Sequence, residues 1–277
     1  MKRVILSFLI FGLCTISAVF GADSSLSRNI ISLKIPAQDD FSNIKIPALG
    51  LKVGESGIVS REVNGNEFII AEAQVDFIND GIASVKISDF TKMNEKYLPK
   101  PLGKVAQGDK ITFRILYDKA LLIAPNQSAY QAIVDRFSDM DFLHSDIFAT
   151  YLAKEGENMP SVADFGRFCA KFDIGLVFIA GQKSLEILNC QSFKILDSSP
   201  LNLSDESVIA PFFTRISKES IDNIFNVKKF EPYFAYFEGL IQSKNTRDLG
   251  ESNAESNVKS NAESNAKSNA ESNAKTE

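Results

Sequence analysis

Short runs in which apolar and polar residues alternate fill the chain from residue 28 to about residue 118. Ile31 and Leu33 alternate with polar neighbours, a pattern that predicts a strand with one buried face. Asn64-Gly65 separates two such runs, and this pair indicates a tight hairpin because both turn positions require positive φ. Comparable runs predict strands at residues 82–87 and 110–117. The pattern therefore predicts a small antiparallel, β-barrel-like module of five or six strands over residues 28–118.

The pattern changes at Lys119, where a continuous apolar run replaces the alternation. Residues 120–124 are all apolar, which predicts a strand buried on both faces. Apolar residues at helical spacing follow, and Asn126 and Ser161 are the predicted N-caps of two helices. Strands and helices then alternate to residue 242, which predicts an α/β layered domain over residues 119–242 and an α+β fold class for the chain.

One or two closing helices are predicted between residues 216 and 241, because aromatic residues recur there at helical spacing. This spacing indicates a buried face, and a groove for a partner protein is the alternative. The aromatic residues concerned are Phe225, Phe230, Tyr233, Phe234 and Phe237.

A cleaved export signal is predicted over residues 1–21. Lys2 and Arg3 precede a strongly apolar stretch, and Ala18–Gly21 offers small residues at positions −3 and −1 of a cleavage site. A single membrane-spanning helix is the alternative, because about 17 apolar residues lie at the lower limit for a span. No later stretch is long and apolar enough to cross a membrane. We therefore expect an exported, water-soluble protein, located in the periplasm or on the outer cell surface.

The charge balance argues against two classes of partner. The chain has 30 Lys and Arg against 35 Asp and Glu, a net charge of −5 that becomes −7 when Lys2 and Arg3 leave with the signal. Such an acidic protein is not expected to hold nucleic acid or anionic lipid by its net charge.

Residues able to carry out catalysis are few. The chain has one histidine, His144, and neither a nucleophile elbow nor a second catalytic feature accompanies it. We expect His144, beside Asp146, to be a loop or capping residue. The carboxylates of Asp139 and Asp141 lie in a turn-like stretch and are expected at the surface. The sequence therefore predicts no enzyme, no cofactor and no metal site, since clusters of Cys and His at ligand spacing are missing.

Two cysteines, Cys169 and Cys190, remain after removal of the predicted signal. In an oxidising compartment two thiols can form a disulfide. The alternative is that both are small buried apolar residues, and the sequence favours neither.

The last part of the chain, residues 243–277, is predicted to be a disordered tail. From Glu251 it repeats a four-residue unit of the type ESNA or KSNA. Ser and Asn destabilise a helix by more free energy than the ion pairs between residues four apart would contribute. The tail carries Lys259, Lys267 and Lys275, which are candidate contacts for a partner. A repeat without a specific function is the alternative.

Five stretches of the chain, in this order, resemble the PgbA-type plasminogen-binding proteins of Gram-negative bacteria. They lie within residues 45–240 and are Leu51–Gly57, Phe68–Ala71, Lys119–Gln127 with Tyr130, Phe142–Ala149 and Gly175–Phe178.

This resemblance implies a cell-envelope protein that captures host plasminogen. It also implies that lysines near the C-terminus occupy the lysine-binding sites of plasminogen's kringle domains, which favour a lysine with a free carboxylate. This chain departs from that pattern because it ends in Lys275-Thr276-Glu277. The carboxylate that such a site requires would come from Glu277, or proteolysis would expose Lys275 as a new C-terminal residue. A periplasmic scaffold that binds an envelope partner through its folded domains is the alternative function.

Overall fold

Two β-sheets with associated helices form the fold. The structure is a computed structural model that describes residues 26–90, 103–201, 203, 207–216 and 231–245. The first sheet is antiparallel and curled, and the second carries helices on both faces. This architecture confirms the predicted α+β fold class. The predicted signal and the predicted tail from residue 246 onward lie outside the described residues, whereas residues 243–245, predicted to begin the tail, are helical.

The first sheet curls around its own apolar core, and its strand order is β1-β6-β3-β4-β5-β2. Every neighbouring pair of strands is antiparallel. Its core includes Ile44, Val59, Val75 and Phe113, each 0% exposed. The strands are β1 (Ile31–Lys34), β2 (Asn43–Pro47), β3 (Ser56–Val63), β4 (Asn66–Asn79), β5 (Ile82–Asp89) and β6 (Lys110–Phe113).

The hairpin prediction at Asn64-Gly65 is confirmed, since these residues have φ angles of 52° and 78° between β3 and β4. The strand predicted at residues 110–117 is wrong at its C-terminal end. β6 ends at Phe113 because Arg114 adopts a left-handed conformation, with φ of 65°. β2 was not among the predicted strands, although its burial alternates, because its run is short and ends at a proline.

The second sheet has the strand order β11-β10-β9-β7-β8. β7 is parallel to both β8 and β9, whereas β9, β10 and β11 are antiparallel neighbours. Its strands are β7 (Lys119–Ile123), β8 (Asp141–Leu143), β9 (Leu176–Ala180), β10 (Ser184–Asn189) and β11 (Ile195–Pro200). The helices are α1 (Gln127–Arg136), α2 (Ser145–Glu155), α3 (Val162–Phe172) and α4 (233–245).

Alternate residues of β7 pack against opposite layers of helices. Leu121 and Ile123 belong to the core formed with α2, α3 and α4, whereas Leu122 belongs to the core formed with α1. Burial on both faces explains the continuous apolar run, because neither face of this strand meets water. The predicted strand at residues 120–124 is confirmed.

Both predicted N-caps are confirmed. The Asn126 side chain accepts a hydrogen bond from the Ala129 amide at 2.8 Å and begins α1. Ser161 and Asp164 form a reciprocal capping box at the start of α3, which satisfies two amides that the helix leaves unpaired.

The closing helix α4 begins at Tyr233 and continues through residue 245. Tyr233 and Phe237 are buried, at 1% and 0% exposure, so the predicted buried aromatic face is confirmed at these positions. Phe225 and Phe230 lie outside the described residues. The predicted domain limits at residues 118 and 242 stay predictions. None of the described helices combines the length and the apolar character needed to cross a membrane.

Candidate functional site at the junction of the two sheets

The carboxyl ends of β7, β8 and β9 lie at one edge of the second sheet. β8 and β9 flank β7 on opposite sides, and open α/β sheets bind ligands in the crevice at such a reversal of strand order. In this protein residues 207–216, here called the strap, cross that edge. The Ile209 amide donates to the Pro125 carbonyl at 2.7 Å, directly after β7. The strap therefore occupies the position that a ligand takes in other sheets of this kind.

Asp146, in the first turn of α2, holds the end of the strap. Its Oδ1 accepts hydrogen bonds from Thr214 Oγ1 and from the Arg215 amide, both at 2.8 Å. Its Oδ2 accepts from Arg215 Nε at 2.6 Å. Burial works to raise the pKa of Asp146, but the hydrogen bonds from Arg215 and Thr214 outweigh it and keep this pKa below its usual range. Asp146 is thus a charged anchor.

His144 is the N-cap of α2, which confirms the capping role predicted for it. Its Nδ1 accepts a hydrogen bond from the Asp146 amide at 3.1 Å. Its ring packs on Tyr130, with ring centroids 4.8 Å apart. Burial lowers the pKa of His144, which favours the neutral ring whose Nδ1 can accept a hydrogen bond. The exposed carboxylates of Asp139 and Asp141 lie at the surface, as predicted.

A small cavity of about 260 Å³ lies between α4 and the hairpin of β9 and β10. Its two carboxylates already have partners within the protein. Glu238 accepts from the Gln182 amide at 3.0 Å, and Glu186 accepts from Ser184 Oγ at 2.6 Å and Ser198 Oγ at 2.9 Å. These carboxylates hold the hairpin in place.

A buried ion pair between Arg114 and Glu55 lies where the chain leaves the first sheet for the second. Arg114 Nε and Nη2 each donate to one Glu55 oxygen at 2.9 Å. The two residues are 4% and 0% exposed. Burial raises the pKa of Glu55, while the Arg114 guanidinium opposes this rise. Arg114 Nη2 also donates to the Gly50 carbonyl at 2.6 Å, so the pair fixes the loop before β3.

Polar contacts join the two sheets beside this ion pair. Asn189 Nδ2, at the end of β10, donates to Ser56 Oγ and to Tyr117 OH, both at 2.9 Å. Ser192 Oγ donates to the Gly54 carbonyl at 2.7 Å. Burial, and secondarily the charge of Glu55, raises the pKa of Tyr117, so its hydroxyl stays protonated. The junction is therefore a fixed, hydrogen-bonded contact.

Gly54 shows how closely the two sheets approach. A Cβ atom at this position would lie 2.2 Å from Lys194 Cβ in the loop between β10 and β11. Gly54 also has a φ of 87°, which favours glycine. The positive φ and the close approach to Lys194 both explain why residue 54 is a glycine.

A cleft of about 390 Å³, here called the junction cleft, opens between the sheets next to these contacts. Ile58 and Ile69 form one wall on the outer face of the first sheet, and the end of α3 forms the other wall. Its lining also includes Leu116, Lys171, Asp173 and Gln191. Cavities of a few hundred Å³ at the contact between two structural units are typical binding sites for small molecules.

Cys169 and Cys190 lie directly behind the junction cleft, on α3 and in the loop after β10. Both side chains are buried, and the structure places their sulfurs facing each other with Cα atoms 6.1 Å apart. This separation is one that a disulfide spans. The next residues, Ala170 and Gln191, both line the cleft, so a disulfide here would fix its two flanking segments relative to each other.

We expect Cys169 and Cys190 to be oxidised in protein isolated from an oxidising compartment, because a disulfide suits their Cα separation. The measurement is the mass of the unfolded chain, beginning at residue 22, after alkylation with and without a reductant. The expected result is that alkylation requires reduction. Two alkylated thiols before reduction would instead support the alternative of two buried apolar residues.

The structure does not place the sequence-predicted contact lysines. Lys259, Lys267 and Lys275 lie outside the described residues, so their role stays a prediction. Sequence reasoning missed the junction, because Glu55 and Arg114 are 59 positions apart and share no motif. The left-handed conformation of Arg114 gives no signal in the sequence either.

Comparisons with known proteins identify the family of the chain. Residues 30–241 match the family described as "Plasminogen-binding protein pgbA N-terminal". Two proteins named "Plasminogen-binding protein PgbA", from Helicobacter pylori strains J99 and 26695, are 32% and 31% identical to the chain over 212 residues. No solved structure matches.

The chain belongs to the PgbA N-terminal family, which confirms the resemblance found in the sequence. Each alignment covers 74% of the chain and 46% of the relative. The chain thus spans about half the length of the curated relatives it matches. Both relatives are named for binding, and neither name describes an enzyme.

Proposed function

We propose that this chain is an exported cell-envelope protein that binds host plasminogen. The observation that carries the proposal is the family match over residues 30–241. The names of two relatives over 30% identical to the chain add support. The apolar N-terminal stretch and the small residues Ala18 and Gly21 at its end support export.

We propose the tail lysines Lys259, Lys267 and Lys275 as the contact with plasminogen. They recur at even spacing beyond the last described helix, and each is followed by a polar residue. A lysine-binding site pairs a cation with an anion, and acids such as Glu263 and Glu271 alternate with these lysines. The tail therefore offers both charges in one repeat.

The test is surface plasmon resonance on immobilised plasminogen with the chain that begins at residue 22. We expect binding that a free lysine analogue such as 6-aminohexanoate abolishes. Deletion of residues 248–277, or replacement of the three tail lysines with alanine, should abolish it as well. The matched control replaces the exposed lysines Lys45, Lys86 and Lys154 and should leave binding unchanged. Binding that is insensitive to the lysine analogue would refute the tail mechanism.

A second candidate function places the contact in the folded body. The family match ends at residue 241, before the repeat begins, so the part shared with the relatives is the body. In this case the protein is a periplasmic scaffold that binds an envelope partner through its folded domains. The same surface could instead bind plasminogen. Plasminogen binding that survives deletion of residues 248–277 would assign the contact to the body.

Location decides between a surface receptor and a periplasmic scaffold. We expect a protease added to intact cells to remove the protein, because plasminogen capture requires surface exposure. A known periplasmic protein in the same cells should stay intact. Degradation only after the outer membrane is permeabilised would support the scaffold.

A further inference from the structure

One carboxylate oxygen joins the end of the strap to α2. The backbone of the strap is attached to the sheet, since the Ile209 and Phe213 amides donate to the two carbonyls directly after β7 at 2.7 and 2.8 Å. Beyond Phe213, Asp146 Oδ1 accepts hydrogen bonds from both the Thr214 hydroxyl and the Arg215 amide. The attachment of the strap end to α2 therefore depends on how many donors compete for this oxygen.

His144 lies beside the same oxygen and also contacts the strap. Its Nδ1 is 3.2 Å from Asp146 Oδ1 and accepts a hydrogen bond from the Asp146 amide. Its ring packs on Tyr130 of α1, with ring centroids 4.8 Å apart, and on Phe213 of the strap, at 6.2 Å. The side chain is 24% exposed, so a proton can reach it from water.

The neutral and the protonated ring of His144 suit different arrangements. In the neutral ring, Nδ1 has the lone pair that accepts the Asp146 amide, whereas both nitrogens of the protonated ring are donors. Protonation would therefore remove the cap and make Nδ1 a third donor toward Asp146 Oδ1, beside Thr214 and Arg215. It would also place a positive charge near the Arg215 guanidinium. The protonated ring thus competes with the strap for its anchor.

The other ionisable groups that face His144 keep their charge near neutral pH. They are Asp146 of α2, Arg215 of the strap and Tyr130 of α1. The pKa of Asp146 lies below its usual range, and an arginine side chain stays positively charged. Burial, and secondarily Asp146, raises the pKa of Tyr130 to about 12. Of these four groups, His144 is the one that changes charge between about pH 5 and 8.

We propose that His144 is a pH-sensitive switch for the strap, because its protonation weakens the hold of Asp146 on Thr214 and Arg215 and lets the strap detach as the pH falls. Detachment would uncover the carboxyl ends of β7, β8 and β9. The switch belongs to the folded body and is independent of the tail lysines and of plasminogen binding.

The direction of the effect follows from the surroundings of the ring. Burial lowers the pKa of His144 while the strap is attached, and the charge of Arg215 adds to this, although Asp146 opposes it. Detachment removes Arg215 and part of the burial and frees Asp146 to pair with the ring, so the pKa rises. The attached strap is therefore most stable above the ordinary value of 6.5. It loses stability as the pH falls below that value, until the ring is protonated in both states.

The test measures the protonation of His144 and the attachment of the strap in the same sample. The chain from residue 22 is used without a histidine tag, so that His144 gives the one histidine signal in the proton NMR spectrum. Its titration should give a pKa below 6.5. Hydrogen exchange, corrected for the intrinsic pH dependence of amide exchange, gives the protection of the Ile209 and Phe213 amides. We expect this protection to fall as His144 titrates, by about tenfold for each unit that separates the pKa values of the attached and detached states.

An amide in the first sheet is the internal control. The Ile35 amide donates to the Asp109 carbonyl at 2.8 Å and lies outside the second sheet. Its protection should stay constant over the pH range in which the strap amides lose theirs. Constant protection here separates detachment of the strap from acid unfolding of the whole body.

Two variants identify His144 as the group responsible. His144→Asn keeps an acceptor suited to an N-cap but removes the group that titrates, so the strap amides should keep the same protection at every pH. The matched control, Asp141→Asn, introduces the same residue at an exposed position of β8 and should retain the pH dependence. Arg215→Gln should raise the pKa of His144, because it removes a nearby positive charge from the strap.

Four results would overturn the proposal. Protection that stays constant while His144 titrates would show that the ring does not control the strap. A His144 pKa at or above 6.5 would mean that protonation does not favour detachment. An equal loss of protection in His144→Asn would assign the effect to another group. An equal loss at the Ile35 amide would indicate unfolding of the whole body.

Discussion

Replacement of Arg114 with methionine is expected to lower the free energy of unfolding by about 3–5 kcal/mol, the cost of removing one partner from a buried ion pair. Glu55 would remain buried, at 0% exposure, without the two hydrogen bonds that now hold its carboxylate. Urea denaturation followed by circular dichroism measures the change. The control is Arg28→Met, because Arg28 pairs with the exposed Asp139, and a surface pair contributes at most about 1 kcal/mol.

The Arg114→Met effect should also depend on pH. Burial raises the pKa of Glu55 and Arg114 opposes that rise, so its removal raises this pKa further. A group whose pKa is raised by folding favours the folded state below its unfolded pKa and loses that contribution as pH rises through its folded pKa. The stability deficit should therefore be smallest below the ordinary value of 4.5 and grow toward neutral pH. A deficit that is constant with pH would contradict an unpaired Glu55 as its cause.

The double variant Glu55→Gln with Arg114→Met separates the charge from the packing. It removes both ions and should recover part of the loss, because a neutral amide is less costly to bury than an unpaired carboxylate. A double variant as unstable as the sum of the two single variants would mean that the residues act independently.

Replacement of Phe148 with alanine is expected to cost about 3–5 kcal/mol, since it removes a fully buried ring and leaves a cavity. The Phe148 ring is 0% exposed. It packs on Phe168 with ring centroids 4.7 Å apart and on Phe165 at 4.9 Å, so its loss affects the contact between α2 and α3. Urea denaturation measures the loss.

The neighbouring variant Ile147→Ala is the matched control for Phe148→Ala. Ile147 lies on the same helix but is 38% exposed, so its truncation should cost well under half as much. Equal losses in both variants would indicate a change in helix formation and not in packing.

The parts of the fold that local chemistry determines were predictable. The hairpin at Asn64-Gly65, the caps at Asn126 and Ser161, and the doubly buried strand after Lys119 each depend on residues close in sequence. The boundary of β6 was not predictable, since it follows from the left-handed conformation of Arg114, whose side chain is held by Glu55 and the Gly50 carbonyl, both distant in the sequence. Tertiary contacts override local propensity here.

The candidate site was less predictable than the fold. Ile58 lies on the first sheet and Gln191 in the loop after β10, and both line the junction cleft because contacts such as that of Asn189 with Ser56 hold the two sheets together. The role of His144 was predictable, because the sequence places it at the end of a predicted strand and beside Asp146. Patterns along the chain describe elements, whereas a cleft between elements depends on their packing.

The strap has a consequence for the order in which the chain folds. It follows β11 in the sequence, and it supplies Phe212, which is 0% exposed, to the core shared by α2 and α3. A growing chain therefore completes all the described strands while the carboxyl end of β7 is still uncovered, and only then adds the strap that covers it. The smallest fragment that we expect to fold independently ends near residue 245, after α4, and one cut after the last strand should aggregate.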